Sequence, residues 1–311
     1  MSALFHQLTA FTIGGLTVGC LYALIAFGYT IVYRILGLFN FAHGGVFMVG
    51  TFSALFVTNE LGTRGGLSIG SATGTLAVMA LAAIVVCVIL SVALEYGIYR
   101  PIRIRGGGGL PALVAGFGAI SFLQEIFGLW QGRSPVNVTQ PVGSGELVRI
   151  FNGAIHPTEL IVFVVTVMTL VALQRYMALS RMGRALRAVG QDSKTAALMG
   201  INAERVIVLS FVLAGATAGI AAVLSNVYYG STSYFSGFDL GLKGLTAALL
   251  GGMGSVSGAL VGGLVLGILE SYGGAVFGAQ WQDVIAFGSL ILILVLRPTG
   301  IIGERMALVR A

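Results

Sequence analysis

Nine apolar runs, separated by short polar or basic stretches, follow one another along the chain. A membrane-spanning helix needs about 20 apolar residues, so runs of this length predict such helices. We place them at residues 10–32, 40–58, 70–98, 110–130, 159–177, 205–227, 238–252, 255–272 and 282–297. The run at 238–252 is short and carries Lys243 and several glycines. The pattern therefore predicts an all-α polytopic membrane protein with about 8–9 transmembrane helices, of which at least one segment is short, re-entrant or broken.

The composition supports this fold class and excludes a water-soluble one. The chain has 311 residues, of which 57% are hydrophobic and 9% are charged, and its mean hydropathy is +0.96. Soluble globular domains carry about 25% charged residues, so this chain has too little polar surface to remain folded in water. No loop is long enough for a separate catalytic domain. We therefore predict a single transmembrane domain over residues 1–311.

The basic residues between the apolar runs predict how the chain is oriented. Nine crossings place the two termini on opposite sides, and positively charged loops favour the cytoplasmic side. If the C-terminus is cytoplasmic, thirteen basic residues lie inside and three lie outside, at Arg64, Arg133 and Arg149. The inside set is Arg34, Arg100, Arg103, Arg105, Arg175, Arg181, Arg184, Arg187, Lys194, Arg205, Arg297, Arg305 and Arg310. The reverse orientation violates the rule, so we predict a cytoplasmic C-terminus.

Motifs for chemistry are mostly missing from the sequence. The phosphate-binding pattern G-x-x-x-x-G-K-[ST] does not occur, because the only lysines are Lys194 and Lys243 and neither follows a glycine. The three histidines (His6, His43 and His156) are isolated and lack metal-ligand spacing. We therefore expect no enzyme, no ATPase site in this chain and no bound metal or other cofactor.

A basic amphipathic stretch, residues 179–201, lies between two apolar runs. Arg181, Arg184 and Arg187 recur at a spacing of three, which places them on one helix face, and Gly200 is a candidate stop. Such a helix could rest on anionic headgroups or dock a cytoplasmic partner. Since the chain has no energy source of its own, a partner that supplies one is a reasonable expectation.

Six separated segments carry a resemblance to a known family. They are FNFAHGG (39–45), EYGIYRPIR (95–103), FGAISFLQ (117–124), GRALRAVGQDSKTAALMGI (183–201), GLKGLTAALLGGMGSVSGALVGG (241–263) and RPTGIIGE (297–304). In this order they resemble the branched-chain amino-acid permease family of ABC importers, in its LivH-like branch. The resemblance runs over nearly the whole chain.

The resemblance implies a prokaryotic inner-membrane subunit that forms a translocation pathway with a second, homologous permease. Two cytoplasmic P-loop ATPase subunits would hydrolyse ATP, and an extracytoplasmic binding protein would deliver the substrate. Residues 178–204 would form the coupling-helix region, with contacts to the ATPase at six positions. These positions are Gly183, Arg184, Arg187, Gly190, Ala196 and Gly200.

Two polar residues near the predicted inner face, Asn40 and His43, are candidates for the translocation pathway. Asn40 begins the second run, where its side chain is a good helix N-cap. His43 lies one turn further on. Ionisable groups inside membrane spans are costly and usually face a cavity or the bundle interior. We therefore predict that His43 lines the pathway or its inner gate, and we include Asn40 with it.

Three charged residues in or beside apolar runs complete the candidate set. Lys243 could face a substrate carboxylate or pair with Asp239, four residues earlier. Glu125 stands where relatives more commonly carry an amide, and we place it in the pathway as well. Glu270 ends the eighth run, where we expect it to reach towards the outer interface.

The sequence leaves the cargo and some of the architecture open. The resemblance favours branched-chain or other hydrophobic amino acids, with urea or short amides as the alternative in the same family. A passive small-solute channel is the alternative from another class. The segments LGLFNFAHGG (36–45) and LGLKGLTAAL (240–249) follow spans of opposite direction. We therefore also consider an inverted repeat, as many transporters contain.

Overall fold

The structure is a computed structural model, which describes residues 8–60, 69–139, 148–150 and 153–302. His6, Arg64, Arg305 and Arg310, which are named above, lie outside these ranges. Within them the chain is nearly all helical. The α-helices are α1 (Leu8–Leu36), α2 (Ala42–Glu60), α3 (Ile69–Leu94), α4 (Arg100–Ile104), α5 (Gly109–Gln131), α6 (Pro157–Leu179), α7 (Arg181–Gln191), α8 (Ser193–Leu198), α9 (Ala203–Tyr229), α10 (Ser236–Gly251), α11 (Val256–Phe277) and α12 (Gln282–Leu296).

The nine predicted runs all form helices, and the polytopic all-α fold is confirmed. Seven helical segments in the described residues are long and apolar enough to cross a membrane. The other two runs form α2, with 19 residues, and α10, with 16 residues. At 1.5 Å per residue, α10 is about 24 Å long, which is shorter than the roughly 30 Å hydrocarbon core. It is the short segment that the sequence predicts, and its glycines do not break it.

Short irregular elements join some of these helices. A π-helical turn (Glu95–Tyr99) connects α3 to α4, and a 3₁₀ turn (Ala279–Trp281) precedes α12. The strands are β1 (Val136–Asn137), β2 (Val148–Ile150), β3 (Gly153–Ile155) and β4 (Ser231–Thr232). Strand β1 pairs antiparallel with β4, and β2 pairs antiparallel with β3. The β1–β4 pair holds the connection between α9 and α10 against the end of α5.

Helix α1 is the centre of the bundle, and its residues from Gly19 to Val32 are buried. It packs against α9, α10 and α11. The contact with α11 is so close that it requires glycine: a Cβ at Gly19 would lie 2.9 Å from the carbonyl oxygen of Gly263. A Cβ at Gly15 would lie 3.1 Å from the carbonyl oxygen of Gly267. Small residues four apart, Gly15 and Gly19 on α1 and Gly263 and Gly267 on α11, thus form the helix interface.

A second close contact joins α2 to α10, the two helices that the repeat hypothesis relates. A Cβ at Gly241 would lie 2.8 Å from the Cα of Gly44, and Gly237 approaches the same residue. The two backbones therefore touch where α10 passes α2. The inverted repeat itself stays a hypothesis.

Candidate functional site

A cavity of about 330 Å³ opens between α1, α9, α10 and α11, at the end of α9 that the predicted orientation places outside. This volume is in the usual range of small-ligand sites. Its wall combines acidic, hydroxyl, basic and apolar side chains. The lining residues are Tyr22, Pro135, Ser225, Tyr229, Ser231, Thr232, Ser233, Phe235, Ser236, Asp239, Leu240, Lys243, Glu270 and Gln282.

The charged part of this wall is an ion-pair cluster around Lys243. The Nζ atom of Lys243 lies 2.8 Å from Glu270 Oε1, 2.8 Å from Asp283 Oδ1 and 3.8 Å from Asp239 Oδ1. The hydroxyl of Tyr22 donates a hydrogen bond to Glu270 Oε2 at 2.7 Å. The side chains of Lys243 and Glu270 are only 8% and 7% exposed. Helices α1, α10, α11 and α12 therefore meet at one shared set of polar contacts.

This cluster changes two of the interpretations made from the sequence. The predicted pair of Lys243 with Asp239 exists, but it is the longest of the three contacts. The nearer partners, Glu270 and Asp283, come from helices that are distant in the sequence. The prediction that Glu270 reaches to the interface is wrong, because it is buried against Lys243 and Tyr22. Its position inside an apolar run was the available signal, since an intramembrane acid usually has a partner.

Asn40 accepts a hydrogen bond from a distant side chain instead of capping its own helix. Its Oδ1 accepts from the hydroxyl of Tyr99, 2.7 Å away, and the backbone amide of Ala42 approaches the same hydroxyl. The predicted side-chain cap is therefore wrong. Asn40 is buried, and Tyr99 belongs to the π-helical turn. The contact thus ties the start of α2 to the end of α3.

His43 lies in the packed interior between α1 and α2 and does not line the cavity described above. It is fully buried, its ring meets Tyr29 edge-on at 4.8 Å, and it lies directly against Gly28. Neither ring nitrogen has a hydrogen-bond partner among the described residues, although the backbone carbonyl of Ile25 approaches the ring without hydrogen-bond geometry. The pathway role of His43 stays a prediction.

Glu125 lies on the surface of the described part of the chain. It accepts a hydrogen bond from Arg133 at 2.9 Å, and the two side chains are 59% and 65% exposed. It is not among the described residues that line the cavity. Its assignment to the pathway also stays a prediction.

The predicted coupling region folds into two short helices, α7 and α8, between α6 and α9. Ser180 caps α7 by accepting from the amide of Gly183 at 2.8 Å. The turn from α6 is tight at this point, since a Cβ on Gly183 would lie 2.6 Å from the Cα of Met177. Arg187 donates to the carbonyl oxygen of Met177, and Arg184 donates to that of Leu179. These contacts fix α7 to the last turn of α6.

The remaining predicted coupling residues fix this region to the bundle or define its end. Gly190 lies against the backbone of Arg34, from whose carbonyl oxygen its Cβ would be 2.8 Å away. Ala196 is buried in a small apolar cluster with Leu186 and Val189. Gly200 has a φ of +82° and ends the turn after α8, so the predicted stop is confirmed. Six predicted positions therefore belong to one continuous structure.

Helix α8 is capped by Asp192, and its end carries two exposed apolar side chains. The carboxylate of Asp192 accepts from the amides of Lys194 and Thr195 and from the Thr195 hydroxyl. These hydrogen bonds hold the pKa of Asp192 below its usual value, and the bond from the Thr195 hydroxyl contributes most to this effect. At the far end, Leu198 and Met199 are 87% and 79% exposed.

An ion-pair network links the segment after α8 to the π-helical turn. Arg103 donates to Glu95 at 3.0 Å and to Glu204 at 2.9 Å, and Arg100 lies 3.3 Å from Glu204. Glu95 is fully buried, whereas Glu204 is 44% exposed. The beginning of α9 is thus connected to the turn that holds Tyr99 and, through it, Asn40. The contacts of Arg100 and Arg103 with Glu204 join residues about a hundred positions apart, and no local pattern in the sequence predicts them.

Comparisons with known proteins point to one family. The family described as branched-chain amino acid transport system / permease component matches residues 11–294. The high-affinity branched-chain amino acid transport system permease protein BraD of Pseudomonas aeruginosa is 42% identical over 98% of both chains. The corresponding protein LivH of Escherichia coli is 40% identical over 93% of this chain and 94% of its own. A probable LivH of Methanocaldococcus jannaschii is 28% identical over 93% and 91%. No solved structure matches this chain significantly.

Proposed function

Because this chain belongs to the branched-chain amino acid transport system permease family, we propose that it forms part of the membrane pathway through which an ATP-driven importer takes up branched-chain amino acids. The observation that carries the proposal is the extent of the similarity to BraD, which covers 98% of both chains. The most similar relatives that we describe are all named for branched-chain amino acids. Urea, short amides and a passive channel gain no support from these comparisons.

We further propose that helices α7 and α8 are the contact with a cytoplasmic ATPase. Three features support this role. The segment is fixed to α6 and α1 by Gly183, Arg187 and Gly190, so a force on it would reach the bundle. Leu198 and Met199 present an exposed apolar surface at its end. The arginines of α7 add charges that a partner could recognise.

The rest of the assembly follows from the same family assignment. A second homologous permease would complete the pathway, two P-loop ATPases would hydrolyse ATP, and an extracytoplasmic binding protein would deliver the amino acid. This chain would bind no cofactor itself. The positively charged segments favour a cytoplasmic location for its C-terminus and for the α7–α8 segment. The cavity at the end of α9 then opens to the outside, where the binding protein docks.

Co-purification tests the assembly, and uptake tests the cargo. Gentle solubilisation of native membranes should retain two P-loop ATPases and a second permease with this chain, as identified by mass spectrometry. Proteoliposomes that contain this complex, with the binding protein outside and ATP inside, should accumulate leucine. A homo-oligomer without an ATPase would contradict the importer and favour a channel. An intact complex that imports urea but not leucine would correct the cargo alone.

A further inference from the structure

The cavity beside Lys243 has three chemically different walls. Asp239, Lys243 and Glu270 form a charged end. The hydroxyl wall consists of Tyr22, Ser225, Tyr229, Ser231, Thr232, Ser233 and Ser236. Pro135, Phe235 and Leu240 supply apolar surface. A site with a few placed polar groups and an apolar remainder is the usual form of a small-molecule site.

The charges at this end favour a cationic group on the ligand. Lys243 is already held at 2.8 Å by both Glu270 and Asp283, so its ammonium group is not free for a ligand carboxylate. Asp239 is different, because it is 50% exposed and lies 3.8 Å from the same nitrogen. Three carboxylates surround one ammonium group, so the cluster carries excess negative charge. Asp239 is the carboxylate on the cavity wall with capacity for another hydrogen bond.

A second observation comes from Ser225 on α9. Its side chain is only 3% exposed, yet it lies in the cavity wall. Among the described residues its hydroxyl makes no hydrogen bond, and it is not one of the fully enclosed polar atoms. The hydroxyl is open to the cavity, so its donor and its acceptor sites face the space that a ligand would occupy. A polar group that enters the cavity would provide the missing hydrogen bond.

We propose that this cavity receives a free α-amino acid, whose ammonium group donates to the carboxylate of Asp239 and whose carboxylate accepts from the hydroxyl of Ser225. The apolar surface of Phe235 and Leu240 would contact the amino-acid side chain. This inference rests on the proposed function, which supplies amino acids as the cargo. It adds the site at which the permease itself holds the amino acid after the binding protein has released it.

Direct binding to the complex tests this proposal without the selectivity of the binding protein. The two permeases with their ATPases are placed in nanodiscs, and the binding of radiolabelled leucine is measured in the absence of the binding protein. Asp239→Asn and Ser225→Ala should each weaken leucine binding about tenfold or more, because the first removes the negative charge that faces the ammonium group and the second removes the hydrogen bond to the carboxylate. Glu60→Gln removes an exposed carboxylate at the end of α2 that does not line the cavity, and it should leave the affinity unchanged.

Ligand analogues show which group each residue contacts. 4-Methylpentanoate lacks the ammonium group of leucine, and leucinamide lacks the carboxylate. Asp239→Asn should reduce the discrimination against 4-methylpentanoate, whereas Ser225→Ala should reduce the discrimination against leucinamide. When the effect of a substitution on affinity depends on whether the ligand carries one particular group, the substituted residue contacts that group directly. Equal effects of each substitution on all three ligands would overturn the proposal, and so would leucine binding that neither substitution changes.

Two further measurements separate the possible failures. Asp239→Glu keeps the charge and should recover part of the leucine affinity, which keeps the test valid if Asp239→Asn does not assemble. Leucine uptake by the unmodified complex in proteoliposomes is measured in parallel. If the unmodified complex does not import leucine, the proposed function itself fails. If it imports leucine and the Asp239 and Ser225 variants bind leucine normally, only the present inference is wrong.

Discussion

The ammonium nitrogen of Lys243 lies 2.8 Å from the Oε1 atom of Glu270, and both side chains are more than nine-tenths buried. The two residues are 27 positions apart and belong to α10 and α11. A buried ion pair is maintained because each charge compensates the desolvation of the other. The pair therefore fixes the short helix α10 to its neighbour beside the cavity.

Removal of Lys243 should be more harmful than removal of Glu270. Lys243→Met leaves Glu270 buried without its cation and should lower the free energy of unfolding by about 3–5 kcal/mol. Glu270→Gln should cost less, because Lys243 keeps Asp283 and Asp239. The double variant Lys243→Met/Glu270→Gln should recover most of the loss. Denaturant titration of the detergent-solubilised protein measures all three, and strictly additive single effects would contradict the coupling.

Gly183→Ala should impair coupling to ATP hydrolysis. The added Cβ would overlap the backbone of Met177, so α7 must shift relative to α6. We expect a several-fold loss of substrate-stimulated ATPase activity in the assembled complex while the chain stays folded. Gly118→Ala on α5 is the matched control, since nothing lies within 4 Å of the added atom. If ATPase stimulation is the same in both variants, the coupling role of α7 is wrong.

Within the ion-pair network around Arg103, removal of the cation should lower the stability of the chain more than removal of the buried acid. Arg103→Ala leaves the fully buried carboxylate of Glu95 without its cation, and it should destabilise the chain by about 3 kcal/mol. Glu95→Gln should be milder, because an amide oxygen still accepts from Arg103. Thermal unfolding in detergent compares the two. A larger loss for Glu95→Gln would show that the buried charge is not what Arg103 compensates.

His43→Leu distinguishes a pathway role from a packing role. Both nitrogens of this buried ring lack a hydrogen-bond partner in the described part of the chain, so an apolar replacement of similar volume should be nearly neutral for stability. The pathway prediction nevertheless expects a clear loss of leucine uptake. Uptake in proteoliposomes is measured with a thermal unfolding control. Normal uptake by a stable variant would remove the pathway role.

The cap of α8 should weaken at acid pH. Its hydrogen bonds require the ionised carboxylate, which is why the pKa of Asp192 lies below its usual value. The resulting stabilisation is complete above the pKa of the unfolded chain, near 3.8, and is lost as the pH falls through the lower folded value. Hydrogen exchange at the amides of Lys194 and Thr195 should therefore show less protection below about pH 4. Asp192→Asn keeps a capping side chain without the charge, and a persistent pH effect in that variant would assign the cause to another group.

The extent of the helices follows closely from the sequence. Each predicted run lies within or overlaps an observed helix, as for residues 205–227 inside α9 (Ala203–Tyr229). The turn at Gly200 and the close contact between the glycines of α1 and α11 could also be predicted from the sequence. A glycine at a helix end and a small residue repeated every four positions are both visible within a short stretch of sequence. The side-chain cap by Asn40 was wrong for a related reason. Capping rules consider only the neighbouring residues, whereas the side chain of Asn40 accepts its hydrogen bond from Tyr99, 59 positions away in the sequence.

By itself, the sequence of this protein determined its membrane-spanning helices, its short segment at α10 and the amphipathic stretch that becomes α7 and α8. These features depend on hydrophobicity and backbone preference within a few neighbouring residues. Only the tertiary structure decided that Glu270, Asp283 and Asp239 surround Lys243, and that Ser225 and Asp239 share one cavity. A charge inside an apolar bundle needs a partner, but the identity of that partner depends on which helices pack together, and the close glycine contacts of α1, α2, α10 and α11 set that arrangement.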